Sequence, residues 1–323
     1  MKQEKKQKVL LGRYRLVKKI ASGGMGDVFE VFDTEREESI ALKTVFIERL
    51  KKANLLRLER EGEALSRFNH PNIVRFHELK YEGKFIYFTM ELVRGEALSQ
   101  LIERVWRLEK GRIPFKRVLR IASSIASALE HAHGHSVLHR DVKPDNILIA
   151  DEGRVVLTDF GLAKVKDHFS VTQAGQSIGT VGYFAPEQMR GDKVDERTDV
   201  YQLGLTLYEA LTGTLPFGED PPLMALKKRV KKPIPPPKDM NPDVPDFFSH
   251  LVIKSLRARA DDRFQNLTEL RAALEEDILN TDYSLEVSAD PSSSTNSNIP
   301  LMAVALLAAS LLLLSLLFII FLL

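Results

Sequence analysis

His139-Arg-Asp-Val-Lys-Pro-Asp-Asn146 and, thirteen residues after Asn146, Asp159-Phe-Gly161 are the stretch on which the reading of this chain turns. Immediately upstream, Arg117–His133 carries Val118, Ile121, Ile125, Ala128 and Leu129 at the spacing of one helix face, so the stretch follows an amphipathic helix. Further upstream the pattern favours strands. Tyr14–Ile20, Val28–Phe32, Ile40–Phe46, Phe76–Leu79 and Phe85–Met90 are short runs rich in Val, Ile, Phe and Tyr, separated by Gly or charged turns. One helical segment interrupts them, Leu50–Phe68, with apolar positions at Leu55, Leu58, Leu65 and Phe68. From Ala97 onward helices dominate. The expected architecture is α+β, a small strand-rich lobe followed by a larger helical one.

Three further motifs lie outward from the opening stretch. Ile20-Ala21-Ser22-Gly23-Gly24-Met25-Gly26-Asp27-Val28 sits between two expected strands. Its glycines suit a turn whose N–H groups approach phosphate oxygens, and by itself it equally suits a plain hairpin turn. A G-x-G-x-x-G pattern would need Gly at Ala21, and no Gly-Lys-Ser/Thr follows as a P-loop requires. Ile40-Ala41-Leu42-Lys43 puts a lysine on a central strand, where it needs a partner or exposure; Glu61 on the following helix is a candidate partner. The last motif is Ala185-Pro186-Glu187.

Five motifs in this order and spacing resemble the protein-kinase superfamily. Ser22-Gly-Gly-Met-Gly26, the His139–Asn146 stretch and Gly179-Thr180 before Tyr183 narrow the resemblance to bacterial eukaryotic-like Ser/Thr kinases. It covers roughly Arg13–Glu276. It implies a bilobal fold: a five-stranded N-lobe with one helix (13–93) and a helical C-lobe (94–276). It also implies transfer of the ATP γ-phosphoryl group to protein Ser or Thr, supported by Mg²⁺ or Mn²⁺.

The resemblance assigns roles by position. Ile20, Ala21, Ser22, Gly23, Gly24, Met25, Gly26 and Val28 would cover the nucleotide with Ala41, while Lys43 holds its phosphates and Glu61 orients Lys43. Met90 stands at the gatekeeper position, and Glu91–Val93 at the hinge that hydrogen-bonds adenine. Asn146 and Asp159 would hold the metal ions, Asp141 would accept or orient the proton of the attacking hydroxyl, and Lys143 would neutralise the γ-phosphate. Thr180 would tie the substrate loop to Asp141 and Lys143. Glu187 would pair with Arg263 and pin that loop, and Asp199 would cap the catalytic-loop backbone from a buried helix. Arg140 would meet a phosphate on the activation loop, for which Thr172 is the matching site, modified in trans by a second copy. The position near it that relatives fill with Thr is Ala174 here. The one departure in the ATP site, Ala21, is expected to slow turnover at most.

Composition bounds the rest. The chain has 323 residues, 44% apolar and 28% charged, with a formal charge of +2 and no cysteine. A disulfide framework and Cys-ligated zinc are excluded, and a reducing compartment suits the chain. Met1–Lys8 is polar and basic without an apolar run, so residues 1–12 read as a basic arm rather than a signal peptide. All 46 basic residues and 38 of the 44 acidic ones precede position 272, leaving the kinase-like part at +8. That charge is spread over the surface, and nucleic acid is not an expected partner. Clustered His131, His133, His135 and His139 belong to the helix and loop of the motif and are not expected to bind zinc.

Residues 277–299 are acidic and rich in Ser and Asn, as a flexible linker would be. Leu301–Leu323 then has 21 apolar residues and two serines. As a helix it spans about 34 Å, enough for a hydrocarbon core of about 30 Å. Residues 300–323 therefore read as a transmembrane helix that anchors the chain by its tail, in contact with lipid, with the kinase-like part in the cytoplasm. The alternatives are a membrane-anchored pseudokinase scaffold and a small-molecule phosphotransferase of related fold. The first is disfavoured by the full set Lys43, Glu61, Asp141, Asn146 and Asp159, the second by Ala185-Pro186-Glu187 and Arg263.

Overall fold

The β-branched and aromatic runs near the N-terminus pair into one antiparallel sheet. The computed structural model describes residues 9–23, 26–49, 62–160 and 181–280. Its strands are Val9–Leu10 (β1), Tyr14–Gly23 (β2), Gly26–Asp33 (β3), Glu38–Phe46 (β4), Phe76–Glu82 (β5) and Phe85–Glu91 (β6), in the order β1-β2-β3-β4-β6-β5. Alternation gives the sheet two faces. One carries Val45 and Phe88 with Met90 and Phe76 packed against them; the other carries Tyr14, Val31, Ile40, Leu42 and Tyr87.

Two expectations need correction. Six strands form where five were expected, because Leu11 and Gly12 adopt positive φ (54° and 65°) and fold Val9–Leu10 back onto β2. Part of the segment read as a basic arm is thus the sheet's edge. The last helix, Leu267–Asn280, runs four residues past the boundary set at Glu276, since Asp277–Asn280 contains no Gly or Pro to stop it.

Beyond β6 the chain forms Gly95–Ala97 (β7), Leu98–Ile102 (α1), Phe115–Gly134 (α2), Ile147–Ala150 (β8) and Val155–Leu157 (β9). Strands β7, β8 and β9 make a second, three-stranded sheet. Then follow Pro186–Arg190 (α3), Glu196–Thr212 (α4), Pro222–Lys231 (α5), Pro237–Met240 (α6), Asp246–Ser255 (α7) and Leu267–Asn280 (α8). The helical stripe of α2 is buried in full, from Val118 to Leu129. It lies against α4, which is buried almost all round, as a helix at the centre of a lobe must be. Asp195 caps the start of α4, accepting from the Arg197 N–H at 3.0 Å, and Gly213 ends it at φ 75°.

The two lobes are stitched together beside the crossover at residues 91–95. Ile73 bridges Leu157 in parallel, Val74 N–H donates to the Leu157 carbonyl at 3.0 Å, and Leu157 N–H donates to Asn72 at 2.8 Å. The Asn72 amide adds a bond to the Val155 carbonyl at 2.8 Å.

Residues 62–66 are helical, the described end of the helix expected over Leu50–Phe68. Gly24, Met25, Glu61, Thr172, Thr180, most of the linker and the apolar stretch 300–323 lie outside the described residues. Among the described residues no helix is long and apolar enough to cross a membrane.

Candidate active site

A buried aspartate builds the central loop. Asp199 reaches it from α4, fully buried, and accepts from the backbone N–H groups of His139 (2.9 Å) and Arg140 (2.7 Å) and lies 2.7 Å from His133 Nε2. Burial alone would raise its carboxyl, but these bonds and the nearby histidines hold it below the usual range. The loop is bent enough that Arg140 has φ 64°, a conformation a non-glycine residue keeps only where its surroundings enforce it.

His139 is likewise buried, and burial pushes it well toward the neutral form. Its Nε2 faces the Thr158 carbonyl at 2.9 Å and its Nδ1 faces the Asp141 N–H at 3.3 Å. These partners fix the tautomer: Nε2 donates and Nδ1 accepts. The ring also stacks edge-on to Phe160, at 4.6 Å, and Phe160 in turn meets Phe68 at 5.7 Å. One histidine thus joins the loop at 139–146 to the segment at 158–160.

Asp141 is buried, and its carboxylate lies 3.2 Å from Lys143 Nζ. The Asn146 amide nitrogen donates to the Asp141 carbonyl at 2.7 Å, which orients the amide oxygen the other way. Thr158 N–H bonds the Asn146 carbonyl at 2.9 Å, bringing Asp159 to the same place. Asp159 itself has φ 67°. From the sheet across the cleft, Lys43 on β4 reaches down to Asp159 Oδ2 at 2.6 Å. Residues 116 apart in sequence therefore share one ion pair. Asp141, Lys143, Asn146, Asp159 and Lys43 are brought together; where Glu61 stands relative to Lys43 lies outside the described residues. An amide oxygen and a carboxylate are the hard donors that Mg²⁺ takes, so Asn146 and Asp159 fit such an ion.

The roof of the cleft follows from register. Ala21, Val28, Lys43 and Phe88 form one cross-sheet row, and Glu30, Ala41 and Met90 the next. Since Lys43 points to Asp159, both rows face the cleft. Ile20 and Ala21 belong to an extended strand rather than a turn, so the Ala21 methyl meets no left-handed backbone. Gly26 is needed for a different reason than phosphate approach: a Cβ there would fall on the Thr44 carbonyl oxygen. Glu91 ends β6; its carboxylate pairs with Arg154 and accepts from the Arg75 N–H at 3.3 Å, and Val93 follows in the crossover.

A second buried pair lies in the helical lobe. Arg263 donates to both Glu187 oxygens, at 2.8 and 2.9 Å, and to the carbonyls of Arg257, Arg197 and Ala258. Thr198 adds a bond to Glu187 at 2.7 Å. Burial would raise the Glu187 carboxyl; the Arg263 guanidinium brings it below its ordinary value.

Sequence reasoning missed two glutamines. Gln202, one turn after Asp199, accepts from the Val142 N–H (3.0 Å) and donates to the Arg140 carbonyl (2.9 Å). Gln188 donates to the same carbonyl at 3.1 Å and accepts from Gln202 at 3.0 Å. The available signal was a polar residue three positions after Asp199, on the same helix face. Among the described residues no group of three or more His, Asp or Glu could hold a metal ion, and the histidines instead stack, His131 on His135 at 4.6 Å.

Comparison with known proteins bears on the family. The chain is 31% identical to a probable serine/threonine-protein kinase of Clostridium acetobutylicum, over 90% of this chain and 44% of that protein. It is 38% identical to the serine/threonine-protein kinase PknA of Mycobacterium tuberculosis, over 76% and 58%. With PrkC of Bacillus subtilis the identity is 33%, over 82% and 40%. The chain thus spans about half the length of these relatives. The crystallised kinase domain of Mycobacterium tuberculosis PknI superposes with a TM-score of 0.66 at 26% identity, covering 83% of this chain and 96% of that one. With the protein kinase domain pattern matched over residues 14–270, the chain belongs to the protein kinase domain family.

Proposed function

We propose that this chain is a serine/threonine protein kinase that passes the γ-phosphoryl group of ATP to protein hydroxyls. The observation that carries the reading is the convergence of Lys43, Asp159, Asn146, Asp141 and Lys143 across one cleft. In this reading Asp141 orients the Ser or Thr hydroxyl and takes its proton as the oxygen bonds the γ-phosphorus. The bond from that phosphorus to the β–γ bridging oxygen breaks, and ADP leaves. Lys143 balances charge on the transferred group, and Lys43 holds the α- and β-phosphates from above. Asn146 and Asp159 would hold Mg²⁺, which neutralises phosphate charge when bound. Met90, Glu91 and Val93 would line the adenine end.

Labelled ATP with a generic protein substrate tests this on the full chain in detergent. The wild type is expected to label Ser or Thr, and Asp141→Asn to do so at least about 100-fold more slowly. No label on any Ser or Thr would defeat the proposal. Phosphopeptides from the same wild-type sample are expected to include Thr172, the activation-loop position modified by a second copy of the chain.

The apolar stretch 300–323 supports a further reading, a chain held at a membrane by its tail with the kinase on the cytoplasmic face. Fractionation of cells checks it. The whole chain should sediment with membranes and residues 1–283 should not; equal partitioning would contradict the anchor.

A further inference from the structure

The cleft-facing row of the sheet contains a residue that the catalytic reading does not use. Glu30 stands directly opposite Ala41 on β4, and Ala41 opposite Met90 on β6. Its neighbour two positions earlier, Val28, stands opposite Lys43. Glu30 therefore shares the face that roofs the cleft, at the end nearer the crossover. Its side chain is only 7% exposed. A carboxylate withdrawn from water to that extent needs a cation. Among the described residues two supply one: Arg94 at 3.0 Å and Lys18 at 3.5 Å.

Arg94 matters more because of where it is attached. It directly follows Val93 in the crossover between the lobes, and its carbonyl accepts from the Asp151 N–H of the β8–β9 turn at 2.9 Å. Lys18 belongs to the same sheet as Glu30. The Glu30–Arg94 pair consequently joins the roof of the cleft to its back edge, on either side of the place where Ala41, Met90 and Val93 line the adenine end. The roof can lift from the crossover only by leaving a mostly buried carboxylate with Lys18 alone.

We propose that Glu30 and Arg94 form a clasp that holds the sheet down over the nucleotide and so sets the affinity for ATP. The two are positioning residues that touch neither phosphate nor hydroxyl. This inference rests on reading the cleft as a nucleotide site.

Equilibrium titration of MgATP, together with steady-state kinetics, tests it on the full chain in detergent. Glu30→Gln and Arg94→Gln should each raise Kd and KM for ATP by about threefold to tenfold, the double variant being no weaker than either single, as for two members of one pair. The value of kcat and the KM for protein substrate should stay within about twofold, because the lost contact serves nucleotide binding uniformly. Arg94 is 61% exposed, so Arg94→Gln removes no core packing and remains informative if Glu30→Gln folds poorly. Lys254→Gln, which breaks an exposed ion pair with Glu269 in the C-lobe, should leave Kd unchanged and serves as the control. Unchanged Kd in Arg94→Gln would overturn the clasp, as would a double variant whose effect is the product of the singles. A wild type that binds ATP but transfers no phosphate would sink the kinase reading and leave this test intact. A wild type that binds no nucleotide would sink both.

Discussion

Arg263 has five N–H groups and, in a side chain with no exposed surface, an acceptor for each direction of the fork: two carboxylate oxygens and three carbonyls. Lysine cannot replace it, since three donors on a point charge do not reproduce a planar fork. Arg263→Lys would leave Glu187 with a poorly matched cation and several carbonyls with none. Removing one member of a buried pair outright costs about 3–5 kcal/mol; since lysine keeps a cation there, a loss of up to about that size is expected in the free energy of unfolding read from urea titration. A change below about 1 kcal/mol would show that the pair is not what holds α3 to α8's approach. At this scale Asp199 and Arg263 were legible through the family resemblance, which assigns each a position and a partner. Gln202 was not, because glutamine bonds backbone of any kind, and its place three positions after Asp199 was the one pointer to the loop at 140–142.

Elements were legible in proportion to how one-sided they are. The stripe in α2 and the β-branched runs of β3, β4 and β6 can be read from spacing, and the observed strands exceed the expected ones by one to three residues because backbone pairing continues into the turn residues. The helix α4 has no readable stripe. Thr198, Asp199, Gln202 and Thr206 are as buried as Leu203 and Leu207, and they spend their polar groups on the catalytic loop and on Glu187. The two-residue β1 is too short for any periodicity. Register shifts in β2, between Leu16 and Lys18 and between Lys19 and Ala21, leave no mark in composition either. They set which side chains face down on the strand that leads into the glycine-rich turn.

Across the whole molecule, histidines make stability depend on pH. Burial lowers the proton affinity of His139, His70 and His131, the last two also disfavoured by neighbouring histidines. In the unfolded chain these side chains take up protons near their ordinary value of about 6.5. Below that pH the unfolded state binds more protons than the folded one, so stability is full above about 6.5 and falls as the medium is acidified. Asp199 and Glu187, both held below their ordinary range, contribute stability that is lost only on further acidification, from about pH 4 downward. Unfolding midpoints measured from pH 8 to pH 5 should therefore decline before Asp199 and Glu187 titrate, the buried Glu209 carboxyl, raised by burial, acting in the opposite sense. A flat profile over that interval would contradict the buried, neutral histidines.

The bonds that tie Asn72–Val74 to Val155–Leu157 also bear on how the two lobes can move relative to each other. Two bodies joined by a single chain crossing can swivel freely about it. Here there is a second attachment alongside the first, and two pins define an axle. Rocking about that line would open and shut the mouth of the cleft, where Lys43 meets Asp159, with the least travel at the far edge. Twist and slide, which would break the strand bridge at Ile73 and Leu157, are the expensive directions. Such a joint reduces the search for closure to one angle, and it places the machinery at the long end of the lever.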